Sequence, residues 1–426
     1  MSDALFGKTW YDENSKEPIS TNNLKEKSPS YDFVIIGGGL AGLVASLELS
    51  KAGASVAILE ANTIGSGASG RNGGFCSKGW ATSHKKIRKL LGSEVAKNLD
   101  YVASEGYEWM RERVSRQRYR EADAKFGEIN LSLEKLKISN ETGVLGRDDL
   151  KQYIHGPRYK SGRINQSAFQ FNPLNFLRIL MEECLCSGVH IFEGSPAIGI
   201  TTSDNKDIFT IHTTHNIFLN AINIVYATGG YGGSLNPKLS KILLAIKTFI
   251  AVSAPIPLLL DKYVPSKFMI ADSRRAGNYF RRLRDGRLLW GMGISAFGDK
   301  SIARIKTDAF NDLTAHLPDL ANEMTKAGVQ FEYGWSGNMA YGRDYLPYVG
   351  LISRNQYALT GFGGHGMNTA PGSAICLSNH LLGRSSQMES FIKIKRKRVY
   401  GLIGKIAAEA VYKTLNIRDL ISEYKN

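Results

Sequence analysis

The apolar positions of this chain change period repeatedly, and the changes outline its elements. Phe33-Val34-Ile35-Ile36 is a continuous β-prone run, residues 43–52 carry a helical pattern, and residues 55–59 are a second buried strand. Residues 84–118 place Leu90, Leu91, Val95, Leu99 and Val102 on one face and read as one long helix. Residues 171–186 read as a helix opened by Asn172-Pro173, a cap followed by a first-turn proline. Residues 189–192 and 198–200 read as strands returning to the first sheet. Residues 209–213 and 217–219 read as a hairpin, and 222–226 as a buried strand that ends in Ala227-Thr228-Gly229-Gly230.

The texture then changes. Residues 248–253, 269–271, 279–283 and 287–292 are strand-like, with a turn at Arg284-Asp285-Gly286, which predicts a mixed antiparallel sheet. Residues 302–317 and 318–327 read as helices. Val349 and residues 357–360 return to strands, followed by Gly361-Phe362-Gly363-Gly364-His365-Gly366 and an apolar helix over 370–382. The pattern predicts an α/β fold with an α+β second domain: 31–110, 160–235 and 345–390 form one discontinuous domain, and 111–159 and 236–344 the other. Residues 1–30 are a polar arm that Trp10 and Tyr11 anchor, and 391–426 are a basic helical segment.

The first strand carries the clearest chemistry. Gly37, Gly39 and Gly42 follow it in GxGxxG spacing, a helix and a second strand come next, and Glu60 lies 60 − 37 = 23 positions after the first glycine. Such a βαβ unit binds a dinucleotide: the glycines permit a tight turn and close backbone approach, and the helix N-terminus faces the pyrophosphate. Glu60 would accept from ribose hydroxyls and repel a 2′-phosphate, so NAD or FAD remain.

Composition narrows the picture only slightly. The 426 residues suit two domains and carry a formal net charge of +15. The excess of cations fits a dianionic cofactor, an anionic substrate, a membrane surface or RNA, though a solvated basic surface is the commoner cause. Cys76, Cys184, Cys186 and Cys376 form no CxxC and no metal-ligand set, so neither disulfides nor a metal are expected, and the chain reads as cytoplasmic. No signal peptide or membrane span is expected; residues 242–260 are interrupted by Lys247, Pro255 and Pro257 and read as core strands. Lys393, Lys395, Arg396, Lys397 and Arg398 precede an amphipathic stretch over 402–420, expected to pack as a helix on the domain, with peripheral membrane contact as the alternative.

Several separated motifs together resemble the D-amino-acid-oxidase-type FAD-dependent oxidoreductases of the glutathione-reductase-like fold, on the branch of gamma-glutamylputrescine oxidoreductase. They are Gly67-Ala68-Ser69-Gly70-Arg71-Asn72-Gly73-Gly74, Ala227-Thr228-Gly229-Gly230, Asp285-Gly286-Arg287-Leu288-Leu289-Trp290-Gly291, the spaced set Trp335, Gly337, Asp344, Pro347 and Gly350, and the loop 361–366. The resemblance implies a Rossmann-like FAD domain interleaved with an antiparallel-sheet substrate domain, and FAD as the cofactor. Its implied contacts are Gly37, Gly39, Leu40, Ala41, Gly42, Glu60, Ala61, Ala68, Ser69, Arg71, Asn72, Gly73, Gly74, Ala197, Ala227, Thr228, Gly229, Gly363, Gly364, His365, Gly366 and Met367.

Departures from the family pattern shape the expected chemistry. Residues 334–338 hold no cysteine and the GRNGG stretch no histidine, so the FAD is expected to be non-covalent. Met339 occupies the position where glycine-oxidase-like members carry a carboxylate-binding arginine. Arg274, Arg275, Arg281 and Arg343 are other acid-binding candidates, each more readily a structural residue. Leu289 stands where oxygen-using members place a lysine, so the acceptor is oxygen or a quinone or carrier. The expected activity is oxidation of an amine C–N bond by hydride transfer to flavin N5, giving an imine that hydrolyses. His365 is the candidate for tuning the flavin or binding substrate, and Tyr279, Trp290, Met339 and Tyr341 are the candidate pocket. The alternatives are an amino-acid oxidase or dehydrogenase, an enzyme of an aminomethylated tRNA base, and a non-enzymatic flavin-bearing protein. No RNA-binding domain is visible, and no nucleic-acid partner is expected.

Overall fold

A computed structural model describes residues 7–21, 29–136, 143–202, 208–214, 217–233, 235–274 and 277–425. Arg275, and the arm outside residues 7–21 and 29–30, lie outside the described residues.

The first sheet is built around Ser30–Ile36, whose fully apolar end is buried on both faces. It runs parallel to Val56–Leu59 on one side and to Phe218–Tyr226 on the other. The order is Tyr348–Ser353, Gln356–Thr360, Phe218–Tyr226, Ser30–Ile36, Val56–Leu59, His190–Phe192, with Ala197–Thr202 and Phe209–Thr213 branching from it. Continuous apolar strands of this kind belong inside a parallel sheet covered on both sides. Helices Leu40–Lys51, Ser93–Val114, Pro173–Cys186 and Gly366–Leu381 share one core with it.

The second sheet has nine strands: Phe331–Tyr341, Leu244–Ser253, Leu288–Ser295, Tyr279–Arg282, Met269–Asp272, Lys125–Ser132, Ser161–Gln170 and Phe75–Cys76 in order, with Val144–Gly146 beside Ser161–Gln170. Its pairings are antiparallel except for Met269–Asp272 with Lys125–Ser132, which is parallel. One face holds Phe249, Ala251, Phe280 and Trp290 and is covered by Ile302–His316 and Pro318–Lys326. The other face holds Ile250, Val252, Leu289 and Trp335, on which Trp10 and Tyr11 pack. Each large apolar side chain so buried contributes roughly 1.5–3 kcal/mol.

Several sequence expectations change here. The stretch expected as one helix over 84–118 is two, His84–Leu91 and Ser93–Val114, because Gly92 at φ +88° turns the chain between them. The hairpin arm at 217–219 and the strand at 222–226 are one strand, Phe218–Tyr226, which pairs antiparallel at its start and parallel at its end. The apolar run 242–260 holds one strand, Leu244–Ser253, and then the helix Pro257–Tyr263. Ser161–Gln170 and Phe75–Cys76 fall inside stretches assigned to the nucleotide domain, yet they belong to the second sheet. The 11-residue strand Phe331–Tyr341 gave no alternating signal, because Gly334 and Gly337 interrupt it.

The arm enters as a short helix, Trp10–Asn14, closed by a Thr9–Asp12 capping box. Tyr11 is fully buried and donates to the Asn72 carbonyl at 2.9 Å, and the Trp10 indole donates to Asp285 at 2.8 Å. The arm thus ties the first sheet's loops to the second sheet.

The C-terminal helix, Gly401–Lys425, does not bury its apolar stripe as expected. Ile403 is 72 % exposed and Ile406 55 %, because a polar side faces the protein: Glu409 Oε2 accepts from the Ala296 amide at 2.8 Å.

Behind the second sheet lies a buried polar network. Trp290 and Asn278 donate to Asp312, Arg274 pairs with Asp272 at 2.7 Å, and Arg158 donates to His316 Nε2 at 2.8 Å. Burial first, then the charge of Arg274, lowers the His316 pKa to about 3, against an unfolded value of 6.5. The neutral ring is the folded form, so its contribution is complete above pH 6.5 and is lost as pH falls from there towards 3. Each pH unit across that window removes about 1.4 kcal/mol of stability. Urea unfolding at pH 7 and pH 5 should show this loss in the wild type and a shallower one in His316→Gln. Equal slopes would mean that His316 does not titrate with unfolding.

Candidate active site

The loop after the first strand is shaped by backbone contacts. Gly37, at φ +113°, turns the chain, and its amide donates to the Leu59 carbonyl at 2.9 Å. Helix Leu40–Lys51 then starts directly, with its amides at Gly39, Ala41 and Gly42 meeting no acceptor among the described residues. Gly42 packs so closely that a Cβ there would stand 2.0 Å from the Gly37 carbonyl oxygen. The Leu40 amide is capped by Ser69 Oγ at 3.0 Å, so the second glycine-rich stretch is bound to the start of this helix.

Glu60 stands beside the turn. Its carboxylate accepts from the Gly38 amide at 2.8 Å and the Asn62 amide at 2.9 Å. Burial raises its pKa, and these two hydrogen bonds oppose the rise. Ala61 follows at the surface, and Ala197 begins a strand two residues after Ser195, whose amide donates to the Glu60 carbonyl at 2.8 Å. Ala227, at the end of Phe218–Tyr226, donates to the Ile36 carbonyl at 2.9 Å, and Thr228 and Gly229 continue from it beside Gly37. A cavity of about 430 Å³ opens at this end, lined in part by Ala61, Ser66 and Arg71.

Ala68–Arg71 is a short helical turn. Two of its expected contacts are engaged inside the protein. Arg71 is buried and donates to the Gly7 carbonyl at 2.6 Å and the Ser66 carbonyl at 2.7 Å. Asn72 donates to the Ala68 and Ser69 carbonyls and accepts from the Gly74 amide at 2.7 Å. Both side chains therefore shape the stretch. Gly73 leaves room for Tyr279: a Cβ would lie 2.6 Å from its ring, and one on Gly291, across the strand pair, 2.1 Å. Burial raises the Tyr279 pKa, and the hydroxyl is hydrogen-bonded with Thr248.

The loop over 361–366 docks on the end of Phe331–Tyr341. The Gly363 amide donates to the Ala340 carbonyl at 2.9 Å, and Gly364 is so close that a Cβ would stand 2.8 Å from Met339 Sδ and 2.9 Å from Tyr341 Oη. Tyr341 donates to Met339 Sδ at 3.8 Å and meets Tyr345 edge-on at 5.7 Å. Burial pushes the Tyr341 pKa up to about 12 and keeps the phenol protonated. His365 stands at the start of the helix Gly366–Leu381 without a side-chain capping bond, and Met367 lies in its first turn. Burial lowers the His365 pKa, opposed by a hydrogen bond with the Lys78 backbone.

The structure thus gathers Tyr279, Met339, Tyr341, Gly364 and His365 around the contact between the second sheet and the helix at 366–381. It does not bring Trp290 there. Strand alternation turns Trp290 to the opposite face, where it stacks on Phe280 at 4.5 Å. Tyr231 was missed: its hydroxyl accepts from the Asn338 amide at 2.8 Å, and its ring packs against Gly67. The signal was present in the tyrosine set between glycine pairs after Ala227-Thr228.

These features define a dinucleotide-binding fold, and the comparisons specify its cofactor. Residues 32–379 match the DAO family, described as FAD dependent oxidoreductase, and the chain belongs to it. It is an FAD-dependent oxidoreductase. Gamma-glutamylputrescine oxidoreductase of Escherichia coli is 24 % identical over 396 residues, covering 89 % of this chain and 90 % of that protein. The probable oxidoreductase OrdL of Haemophilus influenzae is 25 % identical over 390 residues, 87 % of each chain. Among solved structures, glycine oxidase from Geobacillus kaustophilus has a TM-score of 0.65 at 19 % identity, covering 84 % of this chain and 96 % of that one. L-amino acid deaminase from Proteus vulgaris has a TM-score of 0.66 at 16 % identity, covering 88 % and 99 %. Among the described residues, no group of side chains could hold a metal ion and no helix is long and apolar enough to cross a membrane.

Proposed function

We propose that FAD lies extended from the Glu60 loop to the turn at 363–367, held without a covalent bond, and that the enzyme oxidises the C–N bond of a primary or secondary amine of the gamma-glutamylputrescine kind. The residues suit the cofactor. Unpaired amides at a helix start suit a pyrophosphate, and Glu60 suits ribose hydroxyls. Cys76, Cys184 and Cys376 are buried with their thiols held protonated, and Cys186 ends a helix at the surface, so none is placed to tether the ring.

FAD supplies the two-electron acceptor when bound, and the remaining tasks fall to side chains. Met339 and Tyr341 form an apolar wall that strips water from the amine and favours its neutral form, the form able to react. His365, kept neutral by burial, can exchange one hydrogen bond with substrate without adding positive charge beside it. Tyr279 supplies a protonated hydroxyl on the same face of the second sheet as Gly291.

The observation that carries the amine reading is Met339 against Gly364, and among the described residues the arginine candidates are engaged elsewhere or exposed. Arg274 is paired with Asp272, Arg281 donates to the Phe171 carbonyl at 2.9 Å, and Arg343 is exposed. Leu289, which stands where oxygen-using members place a lysine, is buried against the arm, and the acceptor is oxygen, a quinone or a carrier. Anaerobic titration of the yellow protein tests the reading. Bleaching of the flavin band by gamma-glutamylputrescine and related amines, with amino acids silent, is expected. Bleaching by small amino acids alone would replace it with an amino-acid dehydrogenase. A protein that neither group bleaches returns the question to a tRNA-linked or non-enzymatic role.

A further inference from the structure

We infer that the helix Gly401–Lys425 lays its outer face on an anionic membrane surface. The helix is attached by its polar side. Glu409 binds the Ala296 amide and the Ser295 hydroxyl, and Tyr412 lies against Gly293. What remains outside is apolar: Leu402 is 65 % exposed, Ile403 72 %, Ile406 55 %, Val411 52 %, Ile417 56 % and Ile421 49 %. At 100° per residue Ile403, Ile406, Ile417 and Ile421 share one narrow arc, exposed Lys413 and Arg418 flank it on either side, and Leu402 and Val411 lie just beyond them. An apolar stripe with cations along its rim is the pattern of a helix lying in the interface plane of a bilayer.

The charge around the stripe selects the occupant. Residues 393–426 hold nine lysines and arginines against Glu409, Asp419 and Glu423. Arg396 and Lys397 are committed within the protein: Arg396 donates to the Pro347 carbonyl at 2.7 Å and the Phe391 carbonyl at 3.1 Å, and Lys397 pairs with Asp344 at 3.1 Å. Lys393, Lys395 and Arg398 are exposed, and Tyr400 is 63 % exposed at the start of the helix. A second copy of the chain would bring this excess of cations against itself, whereas acidic lipid headgroups neutralise it while the acyl boundary covers the isoleucines.

Flotation of the full FAD-loaded protein with vesicles tests this, using phosphatidylcholine alone and phosphatidylcholine with phosphatidylglycerol. Binding to the anionic vesicles should exceed binding to the neutral ones by roughly tenfold or more and fall in high salt. The double variant Ile406→Glu, Ile417→Glu should lose it while keeping the flavin spectrum, and Lys393→Gln, Lys395→Gln, Arg398→Gln should weaken it. Equal binding to both vesicles, or binding that both variants retain, would overturn the assignment. So would absence from all vesicles, whether the protein is a monomer or a dimer that Ile406→Glu, Ile417→Glu dissociates. The readout does not involve the amine substrate, so it stands or fails separately from the proposed reaction.

Discussion

Gly42→Ala is expected to leave a folded protein that loses its FAD. A Cβ at this position would stand 2.0 Å from the Gly37 carbonyl oxygen and 3.2 Å from its carbon. Both obstacles are backbone, so no side-chain rotation relieves the clash. Gly37 cannot retreat, since its own Cβ position is 2.6 Å from the Ala227 carbonyl oxygen on the neighbouring strand. The helix start must therefore move off the strand, and its amides move with it. Overpacking of this kind costs roughly 1–3 kcal/mol. If that strain falls on the cofactor-binding conformation, affinity drops about tenfold for each 1.4 kcal/mol, which approaches a hundredfold. The flavin-to-protein absorbance ratio after purification, followed by titration with FAD, measures it. Gly199→Ala, at a position with nothing within 4 Å of a new Cβ, is the control. Full FAD retention in Gly42→Ala would place the pyrophosphate elsewhere.

Met339→Arg is expected to exchange one substrate class for the other. The thioether faces Gly364 and receives the Tyr341 hydroxyl. A guanidinium there costs several kcal/mol until an anion meets it, and it repels any cationic amine. Flavin reduction by amines should slow by roughly a hundredfold or more, about 1.4 kcal/mol of transition-state stabilisation per factor of ten. A small α-amino acid brings the missing carboxylate, and its rate should rise from the wild-type baseline. Met339→Leu keeps volume and polarity and should stay within about threefold of the wild type. Anaerobic stopped-flow with one amine and one amino acid reads both directions. Unchanged amine reduction in Met339→Arg would remove Met339 from the substrate pocket.

The glycine turn and the strand and helix around it were legible because their signals are local. Gly37, Gly39 and Gly42 act through backbone geometry over a few residues, and Glu60 follows at a distance that one helix and one strand set. The family motifs extended this to the cofactor. The pocket end was less legible. Tyr279, Trp290 and Tyr341 look equivalent in sequence as aromatics on or near strands, yet only the sheet's alternation separates Tyr279 from Trp290. Arg71 and Asn72 are expected cofactor contacts whose packing inside the protein the sequence did not reveal. Their partners, the Gly7 and Ala68 carbonyls, appear only once the arm and the turn are in place.

The same division runs through the rest of the molecule. By itself the sequence determined the βαβ unit, the interleaving of two sheets and the amphipathic character of the C-terminal helix, since each is written in near-neighbour spacing, while the flavin class of cofactor came from the resemblance of separated motifs to a family. Tertiary structure alone decided which strands crossed from one sheet to the other, which face of the second sheet met the glycine-rich loops, and which side of the terminal helix turned to solvent. Periodicity defines a face but not its partner. Ile403 and Ile406 would look equally ready for a core, and contacts on the opposite side, such as those of Glu409 with Ser295 and Ala296, turned them outward.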